Sequence, residues 1–209
     1  MHIYPLSRLV HAQPVGWEDL LNSIEEGKEY AFGWYQPLRE AVVSYCQAKG
    51  AGRDTIVRIM RSRALSMWGS RGPEVAKANE DAFDKFETLF YPRIRRFQRN
   101  LLRDAQKSVN FEGLQLTGAP HFQVIDENDK ERYVFLLAAK WKTKDLKAYL
   151  ELLSIIVQQR FRKPSQTIWC MDLRTGKDFK WSGSSKRMRA KCAKAARLYR
   201  RFERTAEVD

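Results

Sequence analysis

Residues Gly118 to Lys140 read GAPHFQVIDENDKERYVFLLAAK, and here the hydrophobic pattern first turns from helical to extended. His121 to Ile125 suits a strand. Asp126-Glu-Asn-Asp-Lys130 is turn chemistry, because Asp and Asn side chains bond their own backbone two residues on. Arg132 to Ala139 suits a second strand, apolar enough to be buried on both faces. Beyond it Leu146, Tyr149, Leu150, Leu153, Ile156 and Val157 keep a 3.6-residue period, which predicts a helix over Thr143 to Phe161. Lys163 to Gln166 reads as a loop. Thr167 to Leu173 and Lys177 to Trp181 flank Arg174-Thr-Gly176, a compact hairpin signal. Ser184 or Ser185 then caps a last helix. Met188, Cys192, Ala195, Tyr199 and Phe202, spaced 4-3-4-3, give it one buried stripe under a cationic outer face.

Upstream the pattern is helical. Trp17 to Ile24 forms a short helix in an otherwise weakly patterned first thirty residues. Gly33 to Gln47 places Leu38, Val42, Val43 and Cys46 on one face after Pro37, a natural first-turn residue. Asp54 reads as the N-cap of a helix through Trp68, with Ile56, Ile59, Met60 and Leu65 inward. Gly69-Ser-Arg-Gly-Pro73 breaks the chain. The next helix runs to about Tyr91 on Val75, Ala78, Ala82, Phe86 and Leu89. A further basic helix is expected over Pro92 to Lys107, carrying Arg93, Arg95, Arg96, Arg99 and Arg103. The reading is α/β (α+β): a mainly helical region over 1–113, then a β-β-α-β-β-α core with a basic C-terminal helix over 114–209, as two units or as one compact unit.

With 44% hydrophobic and 12% aromatic residues, 209 residues suffice for a substantial core. No apolar run is long enough to span a membrane. Met1 to Arg8 carries no signal-peptide h-region, and Cys46, Cys170 and Cys192 have no CxxC spacing, so a reducing cytoplasm is expected. The net charge is +13. Arg174 to Arg204 holds twelve of the basic residues against Asp178 and Glu203 alone. A solvated helix usually mixes in Glu. A cationic face this poor in acids points to a polyanion, DNA or RNA first and an acidic protein second.

Gly118-Ala-Pro-His121, the strand from Tyr133 to Lys140, the helix around Tyr149 and the Asp172-to-Lys177 hairpin (DLRTGK) together resemble the PD-(D/E)XK nuclease superfamily, in its RecB-like branch. The resemblance covers Leu114 to Phe202 and implies a restriction-endonuclease-like core. In that family an acid at one strand start, and an acid two residues before a lysine on the next strand, hold Mg²⁺ for phosphodiester hydrolysis. Lys140 matches the family lysine. His121 stands where the first acid belongs and Ala138 where the second does. The resemblance therefore implies a degenerate scaffold, with Lys140 and His121 as remnant catalytic positions, no metal site and no cofactor. On this reading Lys186, Arg187, Arg189, Lys191, Lys194, Arg197, Arg200 and Arg201 hold phosphates, inside a larger microbial-defence or mobile-element assembly.

Two alternatives stand beside it. An active nuclease with a migrated acid, drawn from Glu80, Glu87 or Asp145, would need Mg²⁺ or Mn²⁺. A protein-interaction subunit would use the basic face for docking to a protein partner. The plainer readings are a hydrogen-bonded strand-end residue for His121, a solvated lysine for Lys140, turn residues for Asp126, Glu127 and Asp129, and packing for Trp141, Trp169 and Trp181.

Overall fold

The computed structural model describes residues 1–25, 34–102, 106–164, 167–181 and 185–206. Its elements run α1 (Ile3–Leu9), α2 (Trp17–Glu25), α3 (Gln36–Gln47), α4 (Arg53–Trp68), α5 (Gly72–Lys85), β1 (Ile94–Asn100), β2 (Val109–Phe111), β3 (Leu114–Leu116), β4 (Phe122–Asp126), β5 (Glu131–Leu137), α6 (Thr143–Phe161), β6 (Ile168–Asp172), β7 (Lys177–Lys180) and α7 (Lys186–Ala206). The fold is α+β, helical first and then built on a sheet closed by the C-terminal helix.

Five strands form one mixed sheet in the order β1-β4-β5-β6-β7. β4 and β5 are antiparallel, with Phe122 opposite Val134. β5 and β6 are parallel, with Phe135 opposite Cys170. A parallel pair needs a long crossover, and α6 supplies it. β6 and β7 return to antiparallel pairing across the Arg174-Thr-Gly176 turn.

Alternation along the central strands explains their uniform apolarity. Tyr133, Phe135, Leu137, Ile168 and Cys170 face one side, against α1, α6, α7 and the β2–β3 hairpin. Val134, Leu136, Ala138, Trp169 and Met171 face the other, against α3, α5 and the turn after α5. Each large side chain so buried contributes about 1.5–3 kcal/mol. The helices on the two faces come from opposite halves of the chain, α1 and α2 excepted.

The sheet's fifth strand overturns the helix expected over Pro92 to Lys107. Ile94 to Asn100 is β1, antiparallel to β4 with two register shifts. Its spacing of Ile94 and Phe97 fits a helix as well as a strand, and pairing with β4 decides between them. β1 lies on the N-terminal side of residue 113 yet belongs to the same sheet as β4 to β7, and the 113/114 boundary falls in the turn of the β2–β3 hairpin. Arg103, Gly33, Ser184, Ser165 and Gln166 lie outside the described residues.

Local corrections have equally local causes. Gly52, in the left-handed region, precedes α4 in place of an Asp54 cap, and the Asp54 side chain is fully exposed. On α4 only Met60 and Ala64 are buried, while Ile59 and Leu65 face out, because α4 packs mainly on α3 and α5 at the outside of the helical layer. α5 gives way to a π-helical turn at Phe86–Phe90. The extra residue of that turn brings Phe83, Phe86 and Phe90 inward and leaves Leu89 exposed. Gly72 is fixed by close approach, since a Cβ there would lie 2.7 Å from the Leu65 Cα on the preceding helix. Asn79, buried in α5, accepts the Leu38 N–H at the start of α3 (2.9 Å) and donates to the Trp34 and Val75 carbonyls.

Candidate nucleic-acid interface

α7 starts where Ser185 Oγ accepts the Met188 N–H at 3.0 Å. Its inner stripe is small: Cys192, Ala193, Ala195 and Ala196 are buried, with Met188 and Tyr199 packed beside them. Small side chains let α7 approach α6 closely, and Cys192 Sγ lies 4.0 Å from the Ala148 carbonyl oxygen. Burial pushes the Cys192 thiol up to about 12, so it packs as a small apolar group. The Phe202 side chain, expected to complete the stripe, lies outside the described residues.

All eight expected cations, Lys186, Arg187, Arg189, Lys191, Lys194, Arg197, Arg200 and Arg201, are exposed. They divide into a ridge and its flanks. Arg187, Lys194 and Arg201 recur every seven residues, about 10.5 Å apart along the helix. On the flanks Arg189 donates to Gln158 Oε1 at 3.4 Å, and Arg197 pairs with Glu112 at the β2–β3 turn, 2.6 Å. Arg200 lies against Gly113 in the same turn. Lys186, Arg187, Lys191 and Lys194 make no ion pair among the described residues. No Asn or Gln interrupts the helix, so it lacks the amides that read adenine edges.

The arginines in and just before β1 serve a different purpose. Arg93 pairs with Glu127 (3.2 Å) and Asp178 (2.8 Å), and its guanidinium stacks 5.0 Å over the Trp169 ring. Arg99 donates to Gln123 Oε1 at 2.9 Å. They brace the sheet across β4 and β7, so the cationic surface expected over Arg93 to Arg103 is in part internal scaffolding.

The nuclease-like positions come out closed. His121 is 2% exposed. Its backbone N–H donates to the Val134 carbonyl (2.8 Å), its carbonyl accepts the Leu101 N–H (3.1 Å), and its Nδ1 accepts the Leu136 N–H (3.0 Å). A ring that accepts at Nδ1 carries its proton on Nε2. Burial first, and the Arg39 charge second, hold the imidazole well below its usual range, so it stays neutral. Ala138 is buried, and Lys140 is exposed beyond the end of β5. No hydrogen bond joins Lys140 to His121 among the described residues.

The three candidate acids are dispersed and engaged. Glu87 accepts from Tyr45 Oη and Arg53 Nε, each at 2.7 Å. Burial raises its carboxyl, and those two bonds outweigh burial, leaving it below the usual value. Glu80 sits 3.8 Å from Arg61. Asp145, buried at the start of α6, accepts from Arg8 of α1 at 2.9 Å. Asp126 does turn work: Oδ1 accepts the Asn128 and Lys130 N–H groups, and Oδ2 pairs with buried Arg132 at 2.7 Å. Among the described residues no three His, Cys, Asp or Glu side chains come together as a metal site. Trp169 is core, its Nε1 donating to Asp178 at 2.7 Å, and Trp141 packs edge-on to Tyr4 and Tyr149. Among the described residues no helix is long and apolar enough to cross a membrane.

The Asp126–Arg132 pair and the Arg93 brace were not singled out from sequence. The one available signal was opposite charges four to six residues apart around a turn, which many surface turns share. No known family model, curated protein or solved structure matches the chain.

Proposed function

We propose that this protein binds nucleic acid by its phosphate backbone along α7, on a nuclease-like scaffold that lacks catalytic carboxylates. One observation carries the reading: all eight cations of α7 point outward, opposite a stripe that packs on the core. Ammonium and guanidinium groups displace condensed counterions from phosphates, which supplies affinity without sequence choice. The antiparallel β4–β5 pair, the α6 crossover and the β6–β7 hairpin supply the strand order that the nuclease resemblance implies. His121 and Ala138 at the acid positions favour binding over cleavage.

Fluorescence anisotropy against duplex and single-stranded DNA and RNA, at several salt concentrations, tests this. The four cations without ion pairs predict that log K falls with log salt at a slope of roughly −3 to −4 on duplex DNA. Charge reversal of Arg187, Lys191 and Lys194 to Glu lowers affinity by about 100-fold and flattens the slope by about three. Oligonucleotide incubated with Mn²⁺ stays intact on a gel. Cut oligonucleotide overturns the degenerate scaffold, and salt-insensitive or absent binding overturns the interface.

A further inference from the structure

β1 is an edge strand. It pairs with β4 on one side, and no strand pairs with its other side among the described residues. A groove of about 570 Å³ runs beside it, lined by all five residues from Ile94 to Gln98. Successive side chains of a strand point to opposite faces of a sheet. The register shifts of β1 relax that alternation, so that five residues in a row reach a groove that runs along the strand, beside a backbone edge with no strand partner among the described residues.

The opposite wall is the end of α3 and the Lys49–Gly50 turn. Both turn residues are left-handed, with φ of 53° and 81°. A Cβ on Gly50 would lie 3.0 Å from the Tyr91 ring, so glycine is required there and the turn is held in place. The turn carries Lys49 to the groove, facing Arg95 and Arg96, and no carboxylate lines it. Arg95 Nε donates to the Glu127 carbonyl (3.1 Å), while Arg96 makes no ion pair among the described residues.

We infer that the β1 edge is a docking site for an acidic peptide segment, which adds to the sheet as a sixth strand. Main-chain pairing supplies the attachment, and acidic side chains meet Lys49 and Arg96. The same cations reject a second copy of this chain, whose β1 would set arginine against arginine. A nucleic acid strand carries phosphates but no alternating N–H and C=O row, so it matches the charge of the groove and not its edge. The inference is independent of α7.

The test uses the full chain and a labelled peptide of roughly ten residues alternating Glu and Val. Anisotropy shows binding, and Arg96→Glu and Lys49→Glu, both exposed, each weaken it by about tenfold. Methylating alternate amides of the peptide abolishes binding, because strand addition needs those N–H groups. The α7 triple reversal leaves it unchanged. A peptide of Lys and Val that binds equally well, an N-methylated peptide that retains affinity, insensitivity to Arg96→Glu, or no binding of the acidic peptide would each overturn the inference.

Discussion

His121 and Lys194 show how differently one chain treats its polar residues. At the start of β4 an imidazole lies buried with its Nδ1 and both backbone groups hydrogen bonded. On the ridge of α7 an ammonium stands in water with no ion pair among the described residues. The first position stands where the sequence resemblance led chemistry to be expected, and its atoms are spent on holding β1, β4 and β5 together. The second sits in no motif at all, and its whole charge is available. A short motif reports which strands meet, whereas exposure and pairing report which groups can still act.

That contrast predicts a separation of stability from binding. The largest effect belongs on the buried side. Asp126→Ala takes the carboxylate from the buried Arg132 guanidinium, 8% exposed, and the acceptor from the Asn128 and Lys130 N–H groups, and costs about 3 kcal/mol, read as a drop in the denaturant midpoint with nucleic-acid affinity unchanged. Next is the α7 triple reversal, which removes about 2.7 kcal/mol of binding, its 100-fold loss converted, and leaves the melting temperature within a degree or two. A matching fall in melting temperature would erase the contrast.

His121 gives a smaller effect with a pH signature. Its imidazole is held well below the ordinary value in the folded state. The unfolded chain therefore takes up a proton below about pH 6.5 that the folded chain refuses, and stability falls as pH drops through that range by up to about 1.4 kcal/mol per unit. His121→Asn keeps an acceptor for the Leu136 N–H and removes this dependence between pH 6.5 and 5. An unchanged slope in chemical denaturation would show that His121 is not buried as a neutral ring. The smallest effect is Lys140→Ala, which changes stability by less than about 0.5 kcal/mol and leaves nucleic-acid affinity within twofold.

Legibility in the sequence followed how local the deciding interactions are. α6 and the β6–β7 hairpin were readable because a long apolar period and a Thr-Gly turn act within a few residues. α7 was readable in both its faces, since Ala and Cys on one side and Lys and Arg on the other leave a single packing solution. β1 was not, because Ile94-Arg-Arg-Phe97 satisfies a helical period and only β4, more than twenty residues away, makes it a strand. α1 was missed because its inward residues, Tyr4 and Leu6, find their neighbours far along the chain, in a cluster with α6, α7 and the β2–β3 hairpin. The candidate interface was visible as charge, but the division into a ridge and flanks tied to Gln158 and Glu112 needed three dimensions.

The position of α1 has a consequence for biosynthesis. Leu6 is fully buried against the layer that α6 and α7 complete, and Arg8 and His11 bond to Asp145 and the Lys144 carbonyl at the start of α6. The ribosome releases α1 about 180 residues before α7 begins, on the order of ten to forty seconds of elongation. Through that interval the nascent chain displays an apolar segment whose docking site does not yet exist, while α3 and α5 can already assemble with one another. α1 is thus made long before its seat exists and is seated late, and through that interval it is open to a chaperone.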